Sequence, residues 1–472
     1  AHATIEVDDG ALIDAKGKLE MESHSIADAS MKVMSTLVGF GYGETDSQAK
    51  VMIGNATLGS DGAMSLKSQA DSTLSISVDT VNSGAFSNAA SSASKYANLS
   101  FAVGIANQVA ETTVASNATI TRAGSLDVEA AGKKEHSVAA SGGSFKDGIA
   151  SAGVSVLISD TTLTASLGGN VTAGAVAVKA TLAEAETEVS AAAGTAGSPD
   201  LQEAITSARP VDEILFEKLS DFVAKAPDMD QRSGASSKLG LSAAFAWADN
   251  DNSVTAQVAG GAHVTAHGRL DVIAKAEESL AFETSAAVDQ RELDSQKEGD
   301  PNKPEDKKKV AISASVAVID VSHHADALIG DGAVINADGP ITVVSQSLVT
   351  PFWQQWLDIV DAFKTMDWNS ATAWKKLGEN LYELAGDPVG ATSWTQTAVE
   401  SEKLAFAGTV DFFTLDQKAT AKIGAANINA GVANPTASQD VTVSAQATHG
   451  ILNLVGVPEF DPSSIGSGSS DS

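Results

Sequence analysis

A short motif built around one glycine recurs along the chain and limits its fold more than any other feature. Two and four residues after the glycine the side chain is aliphatic, and six residues after it stands Ala or Ser. The glycines are Gly17, Gly62, Gly124, Gly174, Gly268 and Gly339, and in a seventh, degenerate copy Gln439 takes their place. Alternation with a period of two is typical of a β-strand that buries one face. The motif therefore predicts a series of equivalent strands whose aliphatic residues point into a core.

A second motif alternates with the first and contains two apolar residues separated by a single residue. The pairs include Phe40/Tyr42, Val154/Val156, Phe245/Trp247, Val316/Val318 and Val410/Phe412. We expect both members of each pair to point inward. The polar stretch that follows each pair is predicted to be a turn, after which an aliphatic residue and a glycine close the motif.

Strands of this kind bury their apolar faces when successive coils stack them in parallel, about 4.8 Å apart. We therefore predict an all-β fold, a parallel β-helix solenoid that is right-handed, because parallel crossovers almost always are. The motif glycines are 45 residues (17 to 62) and 50 residues (124 to 174) apart, which indicates roughly two coils per unit. An antiparallel sandwich is the alternative.

A second corner is predicted from the residues that lie seven positions before the motif glycine. In five copies this position holds Gly or Asn, the two residues that best tolerate a left-handed backbone. They are Gly10, Asn55, Asn117, Gly261 and Gly332.

Composition excludes several classes of protein. With 30 Lys and Arg against 60 Asp and Glu the net charge is −30, which opposes binding to nucleic acid and to anionic lipid. The chain has no cysteine, so it can form neither disulfides nor thiolate metal sites. No stretch approaches the roughly 18 apolar residues of a membrane span, and we expect no membrane insertion. The chain opens at Ala1 in mid-pattern and without a signal peptide, which we interpret as a piece of a longer secreted protein.

Three stretches interrupt the repeat and divide the chain. We predict solenoid over 1–197, a helical insertion over 198–231, solenoid over 232–350 with a polar loop at 292–309, a Trp-rich helical hairpin over 351–397, solenoid over 398–457, and a linker or disordered tail over 458–472. In the first insertion, Ser198 and Pro199 form a helix start, and Leu215, Leu219 and Phe222 follow at helical spacing.

The hairpin at 351–397 holds the candidate binding residues. They are Trp353, Trp356, Trp368, Trp374 and Trp394. Two interpretations stay open. The aromatic side chains either pack against the flank of the solenoid, or some face outward and stack on a sugar or dock a partner protein, because Trp is favoured at binding hot spots.

A single stretch offers candidate metal ligands. Asp249-Asn-Asp-Asn252 has the oxygen ligands that calcium accepts, with Asp249 and Asp251 as the candidates. The stretch lacks the glycine and the distal Glu of an EF-hand, and a polar turn is the simpler interpretation.

The remaining titratable residues predict no reaction centre. Acidic pairs such as Glu277 and Glu278 are expected on a solvated turn, where a charged surface is the default. The adjacent His323 and His324 face opposite sides of a strand and receive no role. We therefore assign no catalytic residue, no cofactor and no metal beyond the calcium candidate.

The Gly-x-Leu-x-Val-x-Ala strands, the Val-x-Val pairs and the acidic, cysteine-free, Ala- and Ser-rich composition resemble giant bacterial surface proteins. The chain is similar to the filamentous-haemagglutinin-like and leukotoxin-type adhesins over most of its length outside the insertions. This resemblance implies secretion to the bacterial cell surface and a long β-helical shaft that continues into further repeats of a longer parent chain. It also implies adhesion to a protein or glycan on a host or neighbouring cell. It transfers no functional residue.

Three functions follow as hypotheses. The first is a non-enzymatic structural and interaction segment, a rigid shaft that presents its helical insertions as docking elements. The second is a polysaccharide-processing enzyme, since parallel β-helices also carry acids in a groove on one sheet. It would need an exposed cluster of Asp or Glu with Arg or Lys on one sheet face. The third is a membrane-active toxin that uses the Trp-rich hairpin.

Overall fold

The structure is a computed structural model that describes residues 1–35, 37–80, 98–144, 150–195, 239–290, 310–349, 391–401, 404–430 and 439–455. Within these ranges all of the regular secondary structure is β-strand. The strands form three sheets, which we name A, B and C. The chain visits the sheets in the order A, B, C and then returns to A one rung further along. This is the architecture of a parallel solenoid, as the repeat predicts.

Sheets A and B each contain seven parallel strands. Sheet A consists of β1 (His2–Val7), β4 (Val38–Ile53), β7 (Asn98–Val114), β10 (Ala150–Leu167), β13 (Leu239–Val258), β16 (Val310–Ile329) and β20 (Leu404–Ile423). Sheet B consists of β2 (Leu12–Ala15), β5 (Thr57–Ser60), β8 (Thr119–Ala123), β11 (Asn170–Ala173), β14 (His263–Ala266), β17 (Val334–Ala337) and β21 (Asn427–Ile428). The short strands of sheet B join one end of sheet A to sheet C.

Sheet C faces sheet A across the interior. It consists of β3 (Leu19–Ser35), β6 (Met64–Thr80), β9 (Leu126–Ser144), β12 (Val176–Thr195), β15 (Leu270–Gln290), β18 (Ile341–Val349) and β22 (Val441–His449), with β19 (Ala391–Ser401) and β23 (Ile451–Val455). The strand β15 pairs with β18 along its first part and with β19 along its second part. The segment between Val349 and Ala391 therefore enters and leaves in the middle of a sheet C rung.

The glycine motif sets the register of sheet C, as predicted. Met64, Leu126 and Val176 are neighbours on adjacent rungs, and the same column continues through Leu270 and Ile341. Leu126, Val176 and Leu270 are at most 1% exposed. This confirms that the repeated aliphatic residues stack coil over coil.

The prediction of two coils per unit is wrong, because each unit forms one coil. Eleven of the described strands in sheets A and C are long, from 16 residues in β4 to 21 residues in β15, so one turn of the solenoid uses the whole unit. The polar stretches predicted to be turns lie inside these strands. Asp249–Asn252, for example, lies in the middle of β13.

The two predicted glycine corners have different physical causes. Among the motif glycines, a Cβ on Gly268 would lie 2.8 Å from the carbonyl oxygen of Gly174 one rung below, so close stacking requires glycine there, whereas a Cβ on Gly17 in the first rung would meet nothing within 4 Å. The left-handed corner is confirmed at Gly10, Gly261 and Gly332, whose φ angles lie between 74° and 78°. The Asn residues predicted for this corner, at 55 and 117, do not adopt a positive φ.

Two apolar clusters fill the interior. One joins sheet B to the nearby ends of sheets A and C, with Leu58, Ile120 and Val264 at its centre. The other lies between the far ends of sheets A and C, where Leu74 and Phe282 of sheet C are among the large residues. Buried polar residues separate the two clusters.

The insertions predicted at 198–231, 292–309 and 458–472 lie outside the described residues, as does most of 351–397. Residues 391–397 belong to β19, so they form a strand rather than part of a helical hairpin. Within the described ranges, no helix has the length and apolar character needed to cross a membrane.

Candidate functional site

The outer face of sheet A carries large apolar side chains where the sequence pattern predicts a buried face. Two columns of outward-facing residues run across six rungs in register. The first is Phe40, Phe101, Val154, Phe245, Val316 and Val410, and the second is Tyr42, Val103, Val156, Trp247, Val318 and Phe412. The prediction that these pairs point inward is therefore wrong. We name these two columns the apolar face.

The apolar face points outward because sheets A and C approach too closely for large residues between them. The inward residues on this half of sheet A are mostly Gly, Ala and Ser. A Cβ added to Gly41 would lie 2.6 Å from Cγ2 of Val78, and one added to Gly104 would lie 2.7 Å from Cγ2 of Val138. Sheet C supplies most of the volume here, and sheet A adds mainly small residues, with Leu157 and Ile319 as exceptions.

Exposure varies along the apolar face. Phe40 and Phe412, on its outer rungs, are each 62% exposed, whereas Trp247 in the middle is only partly exposed. Six rungs span five spacings of about 4.8 Å, or about 24 Å in total. A contiguous apolar surface of this extent on a soluble protein usually marks an interaction site.

Acidic columns border the apolar face along one side. The next outward column holds Glu44, Ile105, Ile158, Asp249, Asp320 and Thr414, and the one after it holds Asp46, Asn107, Asp160, Asp251, Ser322 and Asp416. On the opposite side of the apolar face the neighbouring column is uncharged, with Val38, Leu99, Ala152, Ala243, Ala314 and Gly408. Charge is therefore distributed unevenly across sheet A.

Four of these aspartates form an uncompensated cluster, which we name the Asp cluster: Asp160, Asp249, Asp251 and Asp320. Within the described part of the chain, none of the four has an ion pair with Lys, Arg or His. Burial and the neighbouring Asp251 raise the pKa of Asp160, although Lys134 behind the sheet opposes this. Burial and the charges of Asp251 and Asp320 likewise raise the pKa of Asp249.

A buried polar column lies inside sheet A, behind the acidic columns. At one register position every rung from β4 to β20 has a polar inward residue: Ser47, Gln108, Thr161, Asn252, His323 and Gln417. Several of these side chains bond to the backbone of sheet C. Gln108 Nε2, for example, donates to the carbonyl oxygens of Ala70 and Lys133 at 2.6 and 2.8 Å.

An ion pair between Lys134 and Glu278 lies at the centre of this polar interior. Both side chains are fully buried, and Lys134 Nζ is 2.6 Å from Glu278 Oε1. Lys134 Nζ also donates to the Oδ1 atoms of Asn250 and Asn252, at 2.8 and 2.9 Å. The carboxylate accepts further bonds from both Asn amides and from Thr187 Oγ1.

These contacts define the charge states of the pair. Three acceptors surround Lys134 Nζ, which matches the three donors of an ammonium group. Burial alone would raise the pKa of Glu278, but the Lys134 ammonium beside it holds that pKa well below its usual range. The pair is therefore ionised, and each charge is satisfied by hydrogen bonds.

The interior also contains a neutral histidine. His136 Nε2 and Nδ1 each lie 3.0 Å from a serine hydroxyl, those of Ser72 and Ser159. Burial and the nearby Lys134 charge lower the pKa of His136 to about 3.

Only part of the predicted site lies in the described residues. Trp353, Trp356, Trp368 and Trp374 fall outside them. Trp394 lies on β19, where its neighbours Ser393 and Thr395 point inward and are buried. Trp394 is partly exposed on the other side of that strand.

The calcium candidate is not supported. Because Asp249–Asn252 is a strand, the two Asp side chains point outward while Asn250 and Asn252 are buried inside. The four side chains therefore cannot converge on one ion. Within the described ranges, no group of three or more His, Asp or Glu side chains could hold a metal ion.

Two assumptions about titratable residues also change. Glu278, expected on a solvated turn, is fully buried in the middle of β15. His323 and His324 face opposite sides, as predicted, but His323 is buried and accepts a hydrogen bond from Asn252 Nδ2 at Nδ1, 3.2 Å away.

The outward orientation of the apolar face had a signal in the sequence. Gly39, Gly41 and Gly43 alternate with Phe40 and Tyr42, so one side of this strand has no side chains at all. The glycine side of the strand can be buried only against a neighbouring sheet whose large side chains fill the space between them. The buried ion pair had no local signal, because its partners come from different coils.

Comparison of the chain with family models, with curated proteins and with solved structures finds no match in any of the three.

Proposed function

We propose that this chain is a non-enzymatic structural and interaction segment of a large bacterial surface protein. The stacked coils serve as a rigid shaft, and the shaft presents a lateral face to a protein or glycan on another cell. The apolar face of sheet A is the observation that carries the proposal. A purely structural rod would gain nothing from Phe40, Phe245 and Phe412 in solvent, where they favour unwanted association.

The parts of the proposal that concern location at the cell surface and adhesion rest on the resemblance to the secreted adhesins. The stacked register of the coils supports the shaft, because each rung is bonded along its length to the rung before it. The Trp-rich segment that starts at residue 351 stays a second docking element under this proposal.

An adhesion assay with the whole chain tests the proposal. Beads coated with the protein are counted on cultured host cells and on neighbouring bacterial cells, beside beads coated with the variant Phe40→Ser/Phe245→Ser/Phe412→Ser. We expect the wild type to adhere and the variant to lose at least about tenfold in bound beads, because exposed aromatic residues dominate binding energy at interfaces.

The matched control removes exposed apolar residues from other surfaces. Leu12, Ile26 and Met34 are 75%, 60% and 71% exposed and lie outside sheet A. The variant Leu12→Ser/Ile26→Ser/Met34→Ser should adhere like the wild type. Equal loss in both variants, or no adhesion by the wild type to any cell, would contradict the proposal.

The Asp cluster favours one second candidate, a polysaccharide hydrolase. Glycoside hydrolysis uses two carboxyl groups, one of them kept protonated by a raised pKa, and Asp160 and Asp249 have raised pKa values. Within the described residues the cluster lacks the exposed Arg or Lys that this hypothesis also needs. Release of reducing ends from acidic polysaccharides, abolished in Asp160→Asn and in Asp249→Asn, would support this candidate over the first.

A further inference from the structure

We propose that the apolar face, together with the Asp cluster, docks a polypeptide segment that has an apolar stripe edged on one side by Lys or Arg. This inference rests on the proposed function and specifies the chemistry of the partner. It commits to a basic amphipathic segment of another protein.

The shape of the face suits one amphipathic segment. The two apolar columns are two residues apart along each strand, or about 6.6 Å, and about 24 Å long across the rungs. A helix of about 16 residues has that length at 1.5 Å per residue, and its apolar stripe would cover both columns. The partner would therefore lie along the solenoid axis, across the strands.

The charge of the face selects a basic partner. Asp249 and Asp320 lie on the column directly beside Trp247 and Val318, and Asp160 and Asp251 lie one column further. Their mutual repulsion is not relieved by any described cation on the outer surface. Lys or Arg along one edge of the partner would relieve this repulsion. The column on the other side of the apolar face is uncharged, so the partner needs no charge along its second edge. The partner is thus predicted to be basic on one edge only.

The same charges disfavour two other occupants. A second copy of this chain would bring a net charge of −30 of its own to the interface. An anionic lipid surface would be repelled by the acidic columns. A basic segment gains from both the apolar and the acidic part of the face.

Peptide binding to the full chain tests the inference. The probe is an 18-residue labelled helical peptide with a Leu and Phe stripe and four Lys along one edge, and its twin has Glu in place of the Lys. We expect fluorescence anisotropy to show binding of the Lys peptide that is at least about tenfold tighter than that of the Glu twin, with the difference reduced by salt.

Two variants with equal charge locate the interaction. Asp160→Asn/Asp249→Asn/Asp251→Asn/Asp320→Asn removes the Asp cluster and should weaken binding of the Lys peptide by about tenfold or more. Glu22→Gln/Asp28→Asn/Glu135→Gln/Glu186→Gln removes four exposed charges from the outer side of sheet C. It should bind like the wild type, and an equal loss would mean that the peptide senses only net charge and would overturn the inference.

Further results would overturn the inference while leaving the proposed function standing. Sedimentation that shows a dimer in the wild type and a monomer in Phe40→Ser/Phe245→Ser/Phe412→Ser would make a second copy the occupant. Binding of the Lys peptide only after deletion of residues 198–231 would make that segment of the same chain the occupant. A third result is that adhesion needs the apolar face while both peptides bind equally well. That combination would reject the basic character of the partner but leave the proposed function standing.

Discussion

At the scale of single residues, the buried ion pair of Lys134 and Glu278 makes stability depend on each of its two members. Each charge is compensated by the other, since the remaining hydrogen-bond partners of both side chains are neutral. Removing one partner of a buried pair leaves an uncompensated charge and typically costs about 3–5 kcal/mol. Through Asn250 and Asn252 of β13 the pair links sheet C to sheet A, and loss of either partner destabilises the core.

We predict that Lys134→Met lowers the free energy of unfolding by about 3–5 kcal/mol at pH 7. The double variant Lys134→Met/Glu278→Gln should lose less than the sum of the two single variants, because it leaves no charge unpaired. Urea unfolding measures all three. The control is Lys18→Met, whose ion pair with Glu20 is 58% and 50% exposed, and which should change stability by less than about 1 kcal/mol. Additive losses would contradict the assigned pairing.

His136 predicts a dependence of stability on pH. Its pKa is about 3 in the folded protein and about 6.5 when unfolded, so the unfolded chain binds more protons between these values. The stability from neutral His136 is fully present above pH 6.5 and falls by up to about 1.4 kcal/mol for each pH unit below it.

Urea titrations at pH 7.5 and pH 5 measure this effect. The variant His136→Gln keeps a donor and an acceptor but cannot titrate, so between these pH values it should lose about 2 kcal/mol less than the wild type. An identical loss in both proteins would show that His136 is not kept neutral by the fold.

At the scale of the element, the sheet A strands are unusual because, on the half that carries the apolar face, mostly small residues point inward and large residues point outward. A strand with alternating residues has two possible faces, and size normally decides which one is buried. Here the space between the sheets decides instead. Gly153 illustrates this, because a Cβ there would lie 2.8 Å from the carbonyl oxygen of Ala140 and would also collide with that of Ala192.

We predict that Gly153→Ala lowers the free energy of unfolding by about 1–3 kcal/mol, because backbone atoms on sheet C cannot move aside cheaply. The matched control is Gly408→Ala on β20, where an added Cβ would meet nothing within 4 Å. It should be neutral or slightly stabilising, since Ala lowers the entropy of the unfolded chain. Thermal unfolding of both variants checks this, and similar losses would contradict the close approach of the sheets.

Sheets A and C differ in how far the sequence predicts their structure. The sheet C columns are predictable, because the +2 and +4 positions after each motif glycine are apolar and their large residues fill the interior. The orientation of sheet A is not settled by Phe245 and Trp247, since alternation alone gives the same pattern for either face. The polar column is missed for another reason. Polar residues such as Asn252 and Glu278 are expected at the surface, and their buried partner Lys134 comes from a different coil.

At the scale of the whole molecule, the chain has a net charge of −30, and the four carboxylates of the Asp cluster lie together on sheet A. The Asp cluster costs stability whenever its members are ionised together. Because the pKa values of Asp160 and Asp249 are raised, this cost is absent at low pH and appears as pH rises through their folded pKa values.

We predict that Asp251→Asn stabilises the protein at pH 7 by up to about 1 kcal/mol, because it removes the charge beside both of these aspartates. The gain should shrink as NaCl rises from about 20 mM to about 500 mM, because salt screens exposed charges. It should also shrink as pH falls, because the raised pKa values of Asp160 and Asp249 make these two carboxyl groups take up protons first. Differential scanning calorimetry measures each change, and a gain that ignores salt would contradict the electrostatic cause.

The inverted strands of sheet A have a consequence for how such a scaffold can change. Since the inward positions beside Phe40 and Phe245 are Gly or Ala, the core there is filled without the outward side chains. Substitutions at Phe40 or Phe245 can alter what the surface recognises without disturbing the packing beneath it. One solenoid could thus be reused for many ligands, with the variation confined to residues that the fold leaves free.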